Sequence, residues 1–131
     1  MTGDQVRFAH RLIDGGVDVI HGHSSHHPRP VELYRGRLVL YGCGDAINDY
    51  EGISGYEQFR DELRLLYLAL VTAGTGMLAA LHMVPMQAKN MRLRHASTAD
   101  SQWMRAVLER ISQPFGSQIS HRSDGTLILH P

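Results

Sequence analysis

This 131-residue chain has a single cysteine, Cys43, which excludes both an intrachain disulfide framework and a cysteine-rich zinc module. It has no surplus of either charge. Thirteen Lys and Arg balance thirteen Asp and Glu, with a pI near 7.1, and a dedicated nucleic-acid binder is not expected from such a balance. A membrane-length apolar run is missing too. The longest stretch free of Asp, Glu, Lys, Arg and His, Leu65 to Leu81, is shorter than the ~20 residues a spanning helix needs, and Gly74-Thr75-Gly76 interrupts it. Residues 1–14 carry Asp4, Arg7, Arg11 and Asp14, so no signal-peptide apolar core starts the chain. With neither signal nor anchor in view, the expected location is the cytoplasm. No internal repeat, low-complexity tract or linker divides the sequence, and one domain is expected.

Histidine, by contrast, is concentrated. Four of the nine histidines fall within His21-Gly22-His23-Ser24-Ser25-His26-His27-Pro28. Neutral imidazole is a good ligand for zinc, manganese, iron or copper, and a strand end would position it rigidly. A polar surface loop is the other reading. The preceding Val17-Asp18-Val19-Ile20 reads as a short buried strand.

Apolar spacing organises the rest. Val6, Ala9 and Ile13, flanked by Phe8 and Leu12, predict a helix over Asp4–Asp14 that ends at Gly15-Gly16. Val31–Tyr34 and Leu38–Tyr41 predict a hairpin around Arg35-Gly36. Gly42–Gly55 reads as a polar, Gly-rich loop, and Tyr56–Glu62 as a short helical turn. Leu63–Val71, apolar but for Arg64, and Met77–Val84 read as two buried strands, with Pro85 marking an edge or a bulge. Met91–His95 alternates as a half-exposed strand. A helix capped by Ser97 or Thr98 runs to about Ser112, with Trp103, Met104, Val107, Leu108 and Ile111 as its apolar face. Gln118–His121 and Thr126–His130 form a closing hairpin. Cys43, His82, Trp103 and the methionines read as packing residues, and His95, His121 and His130 as surface residues.

Several ordered blocks resemble the bacterial capsule-synthesis proteins of the poly-γ-glutamate (CapA-like) type. A Gly-His-x-x-His segment, here Gly22-His23-Ser24-Ser25-His26, follows Leu12-Ile13-Asp14-Gly15-Gly16-Val17-Asp18-Val19-Ile20. It precedes Val31-Glu32-Leu33-Tyr34-Arg35-Gly36-Arg37-Leu38, then Tyr41-Gly42-Cys43-Gly44-Asp45. The family resembles the calcineurin-like metallophosphoesterases. The resemblance implies an α/β (α+β) fold, the C-terminal half of a metallophosphoesterase-like β-sandwich flanked by helices, with residues 1–131 as a single partial domain. It implies His23 and His26, and more weakly His21, as ligands of divalent metal ions (Mn, Fe, Zn or Mg). Two such cations would clamp a phosphate oxygen and activate a water for hydrolysis. Asp45 and Asn48 would orient the imidazoles or contact substrate.

The chain departs from that superfamily where most of its metal ligands lie. No Asp-x-His or Gly-Asn-His occurs, and Gly3-Asp4 and Gly44-Asp45 stand in the wrong context or order. The expectation is a capsule-synthesis fragment whose metal site is incomplete without an N-terminal half, inactive as an isolated phosphoesterase. A truncated gene, a separate polypeptide and a half-domain kept for another purpose are all open. The alternative functions are a non-enzymatic module that holds one zinc through three of His21, His23, His26 and His27, and an interaction module. The expected partners are the missing half or a second copy, with Leu63–Val84 as the associating region. Asp49 and Glu51 could pair as acid and base, although their spacing does not require it.

Overall fold

Helix α1 (Gly3–Asp14) forms where the apolar spacing predicts it. In this computed structural model, which describes residues 1–23, 25–47, 60 and 62–131, Thr2 and Gln5 cap the helix reciprocally. The Thr2 hydroxyl accepts from the Gln5 amide, and the Gln5 side chain accepts from the Thr2 amide. Gly16, at φ +106°, turns the chain out of the helix. Ala9 and Ile13 are buried against Val39, whereas Phe8 stays exposed.

Strand β1 (Val19–His21) follows, then β2 (Val31–Tyr34) and β3 (Arg37–Leu40), in the order β1-β3-β2. β1 runs parallel to β3 and β2 antiparallel to it. The buried strand expected at Val17–Ile20 is corrected on two counts. The strand is shifted towards His21, and Val17 and Val19 are 37% and 38% exposed. Its one partner among the described strands is β3, so β1 is an edge. The opposite edge, β2, is closed by serines. The Val31 amide donates to Ser112 Oγ at 2.9 Å, and Ser117 Oγ donates to the Val31 carbonyl at 2.7 Å.

The second sheet contains β4 (Leu63–Val71), β5 (Leu78–Lys89), β6 (Arg92–His95), β7 (Ile119–His121) and β8 (Leu127–Leu129). Its order is β4-β5-β8-β7, with β6 also pairing β5. Pro85 lies inside this sheet rather than at an edge, and the irregularity in the β4–β5 ladder is at Leu70–Val71. Pro85 faces Leu65 on β4, and its carbonyl accepts from the Ala96 amide at 3.1 Å. A strand residue points its N and C=O to the same side. The missing N–H therefore falls between the last β8 pair, at Met83, and the first β6 pair, at Met86, where β5 changes partners.

Helix α2 (Thr98–Ser112) is capped by Ser97, whose hydroxyl accepts from the Asp100 amide. Its buried Met104 and Leu108 pack with Val31, Leu38 and Leu40 of the first sheet and with Leu65, Leu81, Met83, Leu127 and Leu129 of the second. One apolar core thus joins both sheets, and the described residues have the expected α+β class, with two sheets and two α-helices. The burial expected of the strand Leu63–Val71 is corrected at its outer end, where Leu68 and Leu70 are 60% and 63% exposed. Most of the helical turn expected over Tyr56–Glu62 lies outside the described residues.

Candidate functional site

The histidine loop leaves β1 at His21, passes over the end of β3 and enters β2 at Val31. Backbone bonds hold it against the β3 exit. The Gly22 amide donates to the Leu40 carbonyl at 2.7 Å, the Arg29 amide to Gly42 at 2.8 Å and the Tyr41 amide to Pro30 at 3.2 Å. Pro28 and Cys43 form a β-bridge. Gly22 is demanded by this crossing, because a Cβ there would lie 2.4 Å from the Tyr41 carbonyl oxygen.

The clamp brings His26 to Asp45, with Nδ1 2.9 Å from Oδ2. An ionised carboxylate only accepts, so Nδ1 donates, and in the neutral form of the ring Nε2 carries the lone pair. Asp45 is itself 3.6 Å from Nη1 of Arg64, whose side chain is 2% exposed. A guanidinium, a carboxylate and an imidazole thus run from the sheet interior to the loop surface. Residue-type reasoning gave Asp45 a role beside the imidazoles, and the structure puts it beside His26. Arg64 was passed over, although a lone arginine in an apolar strand was the available signal.

His21, His23 and His26 border a cavity of about 500 Å³ between the loop, the first sheet and β4, and His27 is not among its lining residues. Cys43, Leu65 and Tyr67 also line it. Burial pushes the Cys43 thiol up to about 11, which keeps it protonated near neutral pH and fits a packing role. Burial also raises the Tyr67 phenol, with a smaller contribution from Cys43. The imidazole of His27 is pushed down, first by burial and then by Arg29 and His26. Asn48, Asp49 and Glu51 lie outside the described residues.

Among the described residues, no group of three or more His, Cys, Asp or Glu is arranged to hold a metal ion. The donor set fits part of a metal site: imidazoles at a loop, one of them fixed by a carboxylate in the manner of metal-bound histidines. A second polar cluster lies on the far side of β2. Buried Glu32 accepts from Tyr41 Oη at 2.6 Å and pairs with His10 Nε2 at 2.8 Å, and the His10 ring stacks on Tyr34. No described helix is long and apolar enough to cross a membrane.

Residues 1–50 match the family model described as bacterial capsule synthesis protein PGA_cap. A "Probable polyglutamine synthesis accessory protein" of Mycobacterium tuberculosis (strain H37Rv) is 55% identical over 126 residues, covering 96% of this chain and 33% of that protein. The like-named protein of strain CDC 1551 matches to the same extent. The "PGA biosynthesis protein CapA" of Bacillus subtilis is 33% identical over 72 residues, covering 55% of this chain and 18% of that one. The chain therefore spans about a third of the length of the mycobacterial relatives.

Proposed function

The chain belongs to the bacterial capsule synthesis protein family, and on that footing we propose that it serves synthesis of a poly-γ-glutamate or related capsular polymer as one portion of a metallophosphoesterase-like unit. The observation that carries the reading is the Arg64–Asp45–His26 chain at the edge of the cavity. Buried Arg64 holds the Asp45 carboxylate, and Asp45 fixes the tautomer and direction of His26. His23 and His26, with His21 more weakly, would hold divalent metal through neutral nitrogen. Such a cation supplies charge stabilisation at a phosphoryl oxygen and lowers the pKa of bound water. The remaining ligands would come from a part of the longer relatives that this chain does not span.

The test is calorimetric titration of manganese and zinc into the purified chain, beside a His23→Ala/His26→Ala variant. The reading expects weak, labile binding that the variant abolishes. It also expects hydrolysis of bis-p-nitrophenyl phosphate by a full-length relative and none by this chain alone. Metal uptake that ignores the two substitutions would sink it. One tight zinc ion per chain or per dimer would instead favour a structural zinc module.

A further inference from the structure

A second groove, of about 650 Å³, separates the end of the histidine loop from α2. Its floor is the helix row Trp103, Val107 and Ile111, each half-buried, with the Arg60 guanidinium 5.3 Å over the Trp103 ring. Its other wall is Pro28-Arg29-Pro30. The proline rings fix φ, and the hydrogen bonds to Gly42 and Tyr41 pin the segment to the first sheet. The wall therefore cannot collapse onto the helix, and the groove is preformed.

Two cations border this apolar trough, Arg29 on the wall and Arg110 in the last turn of α2. Neither has an ion-pair partner among the described residues. The volume lies in the range of small-molecule pockets. A protein partner would need about 800 Å² of contact surface on each side, more than such a trough offers.

We propose that this groove binds a single-chain amphiphile with an anionic head, a carboxylate or a phosphate. The apolar chain lies along Trp103, Val107 and Ile111, and the head meets Arg29 and Arg110. The site is separate from the His23–His26 cavity and does not depend on it.

Trp103 is the only tryptophan, so its emission reports occupancy directly. The intact chain would be titrated below micelle formation with decanoate, decyl phosphate, decanol and acetate. Saturable change with either anionic amphiphile is expected, about tenfold tighter than with decanol, and no response to acetate. Arg29→Gln and Arg110→Gln should each weaken the anions about tenfold and leave decanol unchanged, with circular dichroism checking the fold. The stronger of decanoate and decyl phosphate identifies the head. Equal affinity for decanol, insensitivity to both arginine variants, or silence with all four compounds overturns the proposal.

Discussion

Glu32 is 6% exposed, yet it carries a carboxylate in a strand pair whose one other charged residue is Arg37. Its two oxygens are divided between His10 on α1 and Tyr41 beyond β3, so one side chain ties three segments. Burial, followed by the bond and charge of Glu32, raises the Tyr41 phenol, which stays a donor at any physiological pH. Glu32→Ala leaves a half-buried phenol and imidazole without their partner. It should cost roughly 2–4 kcal/mol in urea unfolding, because unmade buried bonds are dearer than made ones are helpful. A loss under about 0.5 kcal/mol, the ordinary surface range, would show the network to be decorative. The network was not legible in the sequence. Its members are 22 and 9 residues apart, and nothing local marks them as neighbours. The histidine loop was legible, since Gly22, His23 and His26 stand close together in one segment.

The elements themselves were mostly readable, because caps and periodicity are local signals. Gly15 and Ser97 mark their helix ends as expected, and every strand and helix expected within the described residues is present. The misreadings concern environment rather than type. Val17-Asp18-Val19-Ile20 looks buried by composition, but only pairing decides whether a strand is central or an edge. Pro85 looks like an edge signal, but only topology shows the gap between β6 and β8 that receives it. Gly22 is the element-level hinge of the site. Gly22→Ala would drive its Cβ into the Tyr41 backbone and break the bond to Leu40. A stability loss of about 2–4 kcal/mol is expected. Gly74→Ala, in open space at φ +86°, should cost only about 1 kcal/mol. Equal thermal shifts for the two would contradict this account of the crossing.

At the scale of the molecule, the outer half of β4 stands open. Leu66, Leu68 and Leu70 share one face, Leu68 and Leu70 are largely exposed, and no charge occurs from Leu65 to Val71. β4 is also the last strand on its side of the described sheet. An edge without charge favours added strands or association. Light scattering should therefore show concentration-dependent self-association, reduced by Leu68→Lys/Leu70→Lys without a fall in melting temperature. A monodisperse monomer at all concentrations would count against it.

The same strand carries Arg64 at its inner end, and Arg64 reaches His26 through Asp45. Assembly on the open end of β4 alters the support of that imidazole only if it shifts Arg64. In the association experiment the His26 ring resonance is the natural reporter, and its constancy on assembly would break the link. Where the link holds, thermodynamic reciprocity follows: a ligand that prefers the held imidazole must tighten assembly by the factor with which assembly tightens the ligand. The edge and the loop are then coupled inputs, each read alone but read more strongly when the other is present.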